Sequence, residues 1–104
     1  MIDGKLLSYL YKQIPERKPF FKEMEQYARR HAVPIMDLYS METVLVLLNM
    51  FQPKKILEIG TAIGYSALRM ADATGAKIVT IERDDDRYEM AKANIALENK
   101  EEQI

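Results

Sequence analysis

The sequence predicts an α/β fold in which three helices precede a β-α-β-α unit. Two short apolar runs, residues 54–60 (KKILEIG) and 77–82 (KIVTIE), have the length and composition of buried parallel strands. Residues with high helix propensity lie between the two runs, and apolar residues recur at helical spacing before the first run. Together these patterns indicate helices packed against a small parallel sheet.

The first 52 residues are predicted to form three helices. Pro15 and Pro34 interrupt the apolar pattern and separate these helices from one another. The third helix lies between Pro34 and Pro53; its residues 44–48 (VLVLL) would also suit a buried strand, but the spacing from Met41 to Leu48 favours a helix. The residues at helical spacing are Leu6, Leu7, Leu10 and Tyr11 in the first helix, Phe20, Met24, Tyr27 and Ala28 in the second, which reaches His31, and Leu38, Met41, Leu45 and Leu48 in the third.

The second half of the chain is predicted to form a strand, a helix, a strand and a helix. The helix between the strands covers residues 66–74, with Ser66 as its N-cap and Gly75 where a glycine commonly ends a helix. Three consecutive aspartates, residues 84–86, stand where the last helix begins, and the helix dipole favours acidic side chains there. We therefore interpret this acidic run as a helix start rather than a metal site.

The 104 residues are predicted to form a single domain, 1–104, in which a helical region (1–52) precedes the β-α-β-α unit (53–104). A net charge of −1 gives no argument for nonspecific nucleic-acid binding, although residues 1–33 carry a local charge of +3. The absence of cysteine excludes disulfides and thiolate metal sites, and we recognise no signal peptide or membrane-spanning stretch. We therefore expect a soluble, cytoplasmic protein.

Residues 58–66 (EIGTAIGYS) follow the first strand, at the place where a parallel β-α-β unit binds its ligand beside a helix N-terminus. A dinucleotide-binding fingerprint would need glycine at all three of its positions, but the sequence has Gly60, Ala62 and Tyr65 there. No Gly-Lys-Ser/Thr of a P-loop follows either. A phosphate ligand is therefore disfavoured.

Glu82 ends the second strand, 22 residues after Gly60, where a carboxylate can accept hydrogen bonds from both ribose hydroxyls of a nucleoside. This pattern fits a nucleoside that carries no phosphate, and S-adenosylmethionine is such a ligand. Its carboxylate suits the helix N-terminus and the Ser66 hydroxyl, and its ammonium group suits backbone carbonyls near Glu58 and Gly60. The sequence thus predicts S-adenosylmethionine as the cofactor.

Two segments of the chain resemble a known family. Residues 56–71 (ILEIGTAIGYSALRMA), followed by 78–83 (IVTIER), resemble motif I and the acidic strand end of the cation-dependent O-methyltransferases of the catechol and caffeoyl-CoA type. Residues 28–60 further resemble the bacterial branch that includes the tRNA 5-hydroxyuridine methyltransferase. The resemblance covers essentially the whole chain, and it implies the N-terminal part of a Rossmann-like, class I S-adenosylmethionine-dependent methyltransferase fold.

The resemblance implies eight cofactor-binding residues. Gly60, Ala62 and Ser66 would line the methionine part beside Glu58, Met36 would lie near the sulfonium and methyl group, Glu82 at the ribose and Arg83 beside the adenine. Tyr65 belongs to the same motif, and its ring can pack without touching the ligand.

The resemblance also implies a reaction, in which a methyl group passes in line from the sulfonium to the hydroxyl of a modified tRNA uridine, assisted by a divalent cation such as Mg²⁺. Family members are longer and place their metal ligands on later strands, so no catalytic or metal-binding residue is assigned here. We expect the chain to be the N-terminal half of a methyltransferase. Because two parallel strands leave both edges of a sheet unpaired, we also expect it to form a homodimer through a strand edge or to be part of a longer folded chain.

Five basic residues are candidates for a surface that binds RNA phosphates: Arg17, Lys18, Lys22, Arg29 and Arg30. The alternative is a solvated helix face on which Glu23 and Glu25 are interleaved with the basic residues.

Three further functions remain open: methylation of a small catechol-like or hydroxycinnamoyl acceptor, a non-catalytic α/β fragment that self-associates, and a dehydrogenase, against which Ala62 and Tyr65 argue. His31, the single histidine, is predicted at the surface. The methionines predicted to lie mostly in the core are Met24, Met36, Met41, Met50 and Met70.

Overall fold

The computed structural model describes residues 3–104 and has the predicted order of elements. They are α1 (Gly4–Lys12), α2 (Pro19–Arg30), α3 (Leu38–Phe51), β1 (Lys55–Ile59), α4 (Tyr65–Ala73), β2 (Lys77–Ile81) and α5 (Asp85–Leu97). Residues 44–48, which also suited a strand, are helical, as the spacing of the apolar residues predicted. Within residues 3–104, no helix combines the length and the apolar character needed to cross a bilayer.

β1 and β2 pair in parallel, with Lys55 opposite Lys77 and Ile59 opposite Ile81. Because the two strands are parallel and are joined by α4, their carboxyl ends lie at the same end of the sheet. On the outer side of β2, the Ile78 amide donates a hydrogen bond to the Gln103 carbonyl (2.8 Å). The β2 edge is therefore partly paired, and of the strands in the described chain β1 alone keeps an edge without a hydrogen-bonded neighbour.

The hydrophobic core lies on one face of this sheet. Ile56 and Ile78 point to that face and pack with a buried cluster contributed by α2, α3, α4 and α5. Successive residues of a strand point to opposite faces, so the residues that alternate with them lie on the other side. On that other side, four apolar side chains are between 51% and 75% exposed and form what we call the open sheet face: Leu57, Ile59, Val79 and Ile81.

Aspartates begin three of the helices. Their carboxylates accept hydrogen bonds from backbone amides of the first turn: Asp3 from Leu6 (2.8 Å), Asp37 from Ser40 (2.9 Å) and Asp84 from Arg87 (2.9 Å). The acidic run at residues 84–86 therefore caps α5 and lies in its first turn, as predicted.

The predicted ends of α4 are wrong in two details. The N-cap is Gly64, with a φ of +91°, and Ser66 lies inside the first turn instead. Glycine adopts this left-handed conformation without a steric penalty, whereas a serine would be strained there. At the other end, Thr74 leaves the helix in an extended conformation and its hydroxyl donates to a carbonyl of the last turn (2.8 Å), while Gly75 is not left-handed.

The predicted core methionines divide into two groups. Met24, Met41 and Met70 are buried, whereas Met36 and Met50 are exposed. The prediction is wrong for Met50, which is 70% exposed because it lies on the side of α3 that the described chain leaves uncovered. The surface position predicted for His31 is confirmed, and its ring lies 4.2 Å from the ring of Tyr27.

Candidate functional site

A cavity of about 390 Å³ opens at the carboxyl end of β1. We call it the β1 cleft; residues 34–36 form one wall, and residues 58–62, 65 and 66 form the other. A larger cavity of about 580 Å³ lies between α2 and α5, and none of the eight predicted cofactor-binding residues lines it. The β1 cleft brings together six of those eight residues: Met36, Glu58, Gly60, Ala62, Tyr65 and Ser66.

The loop between β1 and α4 folds tightly over the end of β2. The amides of Gly60 and Thr61 both donate to the Ile81 carbonyl, at 2.8 and 3.2 Å. Gly60 and Ala62 both have positive φ, +95° and +50°. For alanine that conformation costs roughly 1–2 kcal/mol, so Ala62 needs support from its surroundings. The loop is thus held in a shape that exposes its backbone to the cleft.

Glu58 is the charged group within the cleft. Its Oε1 accepts a hydrogen bond from the Thr80 hydroxyl (2.7 Å), and its Oε2 accepts one from the Ser66 hydroxyl. The Thr61 and Thr80 hydroxyls are also within hydrogen-bond distance of each other (2.6 Å). These contacts fix the carboxylate against the first turn of α4.

Thr61 and Thr80 were missed from the sequence. The signal for Thr80 is the strand register, because Thr80 lies directly opposite Glu58 in the parallel pair. That register follows from the pairing of the two strands, which neither strand specifies alone.

Glu82 does not line the β1 cleft but supports its loop. Its Oε1 accepts a hydrogen bond from the Ala62 amide (2.8 Å), and its Oε2 accepts one from the Asp84 amide (3.0 Å). These amides, that of Asp84 first, hold the pKa of Glu82 below its ordinary value. The carboxylate is therefore charged at neutral pH, and each oxygen keeps a lone pair for a further donor. Arg83, the eighth predicted residue, is exposed and does not reach the cleft.

The Tyr65 side chain is buried in the protein interior. It is 1% exposed, and its hydroxyl donates to Glu25 Oε2 (2.5 Å) and accepts from Arg69 Nη1 (2.8 Å). Burial, together with the hydrogen bond to Glu25, raises the pKa of Tyr65. The hydroxyl of Tyr65 is therefore occupied in the protein interior, and its ring packs as the sequence allowed; a cofactor-binding role for Tyr65 stays a prediction.

Arg17 and Glu25 are also placed differently from the prediction. Instead of lying on a solvated face, Glu25 is 4% exposed and accepts two hydrogen bonds from Arg17, at 3.0 Å from Nε and 2.8 Å from Nη2. Arg69 continues the contacts to Glu42 Oε1 (2.6 Å). Helical spacing cannot reveal these pairings, because they join different elements.

The proposed RNA-binding cations are largely neutralised. Arg17 is partly buried and pairs with Glu25. Lys18 pairs with Asp72 (3.1 Å) and Glu98 (2.5 Å), and Lys22 pairs with Glu16 of the preceding loop. Arg29 and Arg30 are exposed in the last turn of α2. The five residues therefore do not form one cluster of free positive charge.

A metal site is not formed by the residues that the structure describes. No group of three or more His, Asp or Glu side chains among residues 3–104 is arranged to hold an ion. The donor set that a divalent cation prefers is therefore lacking here.

The chain is similar to several known proteins. Residues 12–104 match the family described as O-methyltransferase. A Staphylococcus aureus protein provisionally assigned as a caffeoyl-CoA O-methyltransferase is 33% identical, with a TM-score of 0.81 over 95% of this chain and 46% of that protein. A Geobacter sulfurreducens methyltransferase is 26% identical, with a TM-score of 0.87 over 98% of this chain and 55% of that protein.

An O-methyltransferase from Bacillus cereus, solved in complex with S-adenosylhomocysteine, shares the fold. It is 23% identical, with a TM-score of 0.78 over 92% of this chain and 46% of that protein. The chain spans about half the length of these solved structures.

Proposed function

The chain belongs to the O-methyltransferase family and has the fold of the N-terminal part of a class I methyltransferase, and we propose that it binds S-adenosylmethionine in the β1 cleft for an O-methyltransferase reaction. The observation that carries this proposal is the placement of two carboxylates at the carboxyl ends of the two strands. Glu58 lies with Ser66 at the start of α4, and Glu82 is bonded to the amide of Ala62. The two carboxylates suit opposite ends of one molecule, an amino acid at the first and a ribose at the second.

The methionine end of the cofactor is proposed to lie at the start of α4. The first amides of a helix have no intrahelical partner, and the helix dipole favours a negative group beside them. The cofactor carboxylate would accept hydrogen bonds there and from Ser66, while its ammonium group would lie between Glu58 and the backbone at Gly60. Met36, on the opposite wall of the cleft, would face the sulfonium.

The nucleoside end is proposed to lie along the carboxyl end of β2. Glu82 would accept hydrogen bonds from the two ribose hydroxyls with the lone pairs that its amide partners leave free. Arg83 follows it and would flank the adenine. The Bacillus cereus structure with S-adenosylhomocysteine supports a ligand of this class for the shared fold.

The proposed reaction breaks the bond between the sulfonium and its methyl group and forms a bond from that methyl carbon to a hydroxyl oxygen, so that S-adenosylhomocysteine is left and the hydroxyl proton passes to solvent. We also propose a divalent cation, Mg²⁺, but the described residues hold no ligand set for it, so its ligands would come from elsewhere and no step is assigned to it. The residues of this chain bind and orient the methyl donor, and we name none of them as catalytic.

The proposed acceptor is the hydroxyl of 5-hydroxyuridine in tRNA. Its support is the resemblance of residues 28–60 to the tRNA-modifying bacterial branch, together with the exposed pair Arg29 and Arg30. A small catechol-like or hydroxycinnamoyl acceptor is the second candidate. The provisional assignment of the 33% identical Staphylococcus aureus protein and the neutralisation of Lys18 and Lys22 favour it.

We further propose that two copies of the chain associate through the open sheet face and that the protein is cytoplasmic. Four apolar side chains exposed side by side are expected to be covered by a partner. The sequence predicts association, of a dimer or of a non-catalytic fragment, through an open edge of the sheet, and the edge of β1, which is unpaired within residues 3–104, adjoins this face.

The cofactor proposal is tested by titrating the chain with S-adenosylhomocysteine in a calorimeter. We expect Glu82→Ala to raise the Kd about tenfold or more, because a hydrogen bond to a charged group contributes roughly 1.5–3 kcal/mol. Glu89→Ala, an exposed glutamate of α5, is the matched control and should bind as the wild type does. Failure of the wild-type chain to bind would refute the proposal, and equal binding by both variants would remove Glu82 from the site.

The tRNA proposal is tested with the double variant Arg29→Ala/Arg30→Ala. Because each phosphate contact releases counterions, removing two contacts should weaken tRNA binding more at low salt than at high salt and reduce the slope of log K against log salt by about 1–2. Lys5→Ala/Lys12→Ala on α1 removes the same charge elsewhere. An unchanged filter-binding affinity at both salt concentrations would leave the small acceptor as the better candidate.

A further inference from the structure

A buried set of polar side chains connects the N-terminal helices to α4. We call it the Glu25–Tyr65 network; its members are Arg17, Glu25, Tyr65, Arg69 and Glu42. It joins the α1–α2 loop to α2, α2 to the first residue of α4, and α4 to α3. The side chains of Arg17, Glu25 and Arg69 are 15%, 4% and 8% exposed. A network of charged side chains that is largely shielded from water, with its hydrogen bonds satisfied, holds its members in fixed positions.

Stability alone does not account for this network. Buried ion pairs contribute little net stability, since the desolvation of the charges offsets their attraction, and apolar residues of similar volume often serve as well. Tyr65 already packs edge-on against Phe21, with ring centroids 6.1 Å apart. A phenylalanine at position 65 would keep that contact. The hydroxyl is therefore available for a role beyond packing.

The network spans the two walls of the β1 cleft at its methionine end. Tyr65 is the first residue of α4 and directly precedes Ser66 on one wall. Glu25 lies on α2, whose end is tied to the other wall, because the Val33 amide donates to the Ala28 carbonyl (2.9 Å) immediately before residues 34–36. The buried hydrogen bond between Tyr65 and Glu25 thus connects the two walls through the protein interior.

The nucleoside end has a separate support. Glu82 is held by the amides of Ala62 and Asp84, and neither residue contacts a member of the Glu25–Tyr65 network through a hydrogen bond. A change in the network should therefore displace Ser66 and the first turn of α4 while leaving the ribose position in place.

We propose that Glu25 and Tyr65 are positioning residues that set the separation between the first turn of α4 and residues 34–36, and so determine the affinity for the amino-acid end of the cofactor. This inference rests on the proposed function. It assigns the two ends of the ligand to two independent supports, which makes them separable by experiment.

The test compares two ligands that share the nucleoside. S-adenosylhomocysteine carries the amino-acid end, and 5′-methylthioadenosine lacks it. We expect Tyr65→Phe and Glu25→Gln to raise the Kd for S-adenosylhomocysteine about fivefold, the worth of one hydrogen bond, and to leave the Kd for 5′-methylthioadenosine within about twofold. Tyr88→Phe, which removes an exposed hydroxyl on α5, is the matched control and should leave both constants unchanged.

Each other outcome overturns the inference in a recognisable way. Equal losses for both ligands would mean that the network only maintains the fold. Unchanged affinity for both ligands in Tyr65→Phe, which keeps the Glu25 pair with Arg17, would mean that the hydroxyl positions nothing. If the wild-type chain binds neither ligand, the proposed function itself fails, and the inference fails with it.

Discussion

Replacing Glu25 by glutamine should lower the free energy of unfolding at pH 7 by about 2–3 kcal/mol. The substitution keeps the shape of the side chain but removes its charge, which leaves the Arg17 guanidinium without its counter-ion at a site where Arg17 is only 15% exposed. Breaking one partner of a buried pair costs far more than the pair contributes, because the remaining charge stays desolvated. Glutamine still accepts one hydrogen bond from Arg17 or Tyr65, and Arg17 keeps some contact with water, so we expect a loss below the roughly 3–5 kcal/mol of a fully buried pair.

The effect of Glu25→Gln should depend on pH. Burial by itself would raise the pKa of Glu25, but the hydrogen bonds from Arg17 and Tyr65 outweigh it and hold the pKa below its ordinary value of 4.5. A carboxyl group with a lowered pKa in the folded state stabilises the protein above its ordinary pKa, and this stabilisation is lost as the pH falls through the folded value. The wild-type chain should therefore lose its advantage over Glu25→Gln below pH 4.5.

Urea unfolding at pH 7, 5 and 3.5 measures this difference directly. Glu23→Gln is the control, since Glu23 lies on the same helix and is exposed; it should change the free energy of unfolding by less than about 0.5 kcal/mol. A gap between wild type and Glu25→Gln that is as wide at pH 3.5 as at pH 7 would show that the charge of Glu25 is not its cause.

The largest expected change in assembly comes from Leu57→Lys. Leu57 is the member of the open sheet face on β1 that lies opposite Val79, and it is 66% exposed. A lysine there can extend into water in a monomer, so folding should be little affected. In a dimer it would place an unpaired charge among apolar side chains, which is strongly unfavourable. We therefore expect this single substitution to abolish the proposed self-association.

Sedimentation over a range of concentrations tests this expectation. The wild-type mass should rise from 12.1 kDa toward twice that value, while Leu57→Lys should remain at 12.1 kDa at all concentrations. Leu97→Lys makes the same change at a leucine of equal exposure, 68%, on α5, and should associate as the wild type does. A wild-type chain that stays monomeric would exclude the homodimer, and association of Leu57→Lys would place the contact elsewhere.

Much of the fold could be predicted because its signals are local. Proline positions separated the N-terminal helices, and the spacing from Met41 to Leu48 distinguished α3 from a strand. Two apolar runs separated by a helix specified the parallel pair, and the aspartates at residues 84–86 marked the start of α5. Each of these signals is carried by a short stretch of the sequence, even where the strands that it predicts pair over a longer separation.

The site could be predicted only in part. Glu58 lies at the end of β1, and Gly60, Ala62 and Ser66 follow in the next loop and turn, so their proximity follows from the chain itself. The structure brings Met36 to the same cleft. The N-cap was misassigned because Gly64 supplies a left-handed conformation that serine preferences do not reveal. Side-chain burial was the other source of error, as it was for Met50.

The sequence by itself determined the type and order of the elements and the loop that forms the cleft, because periodicity, prolines and glycines act through short-range sterics and hydrogen bonding. Tertiary structure alone decided that Arg17 pairs with the buried Glu25, that Thr80 supports Glu58, and that Met41 is enclosed while Met50 on the same helix is exposed. Burial and pairing depend on which elements meet and in what register, and those contacts join residues tens of positions apart that no local pattern relates.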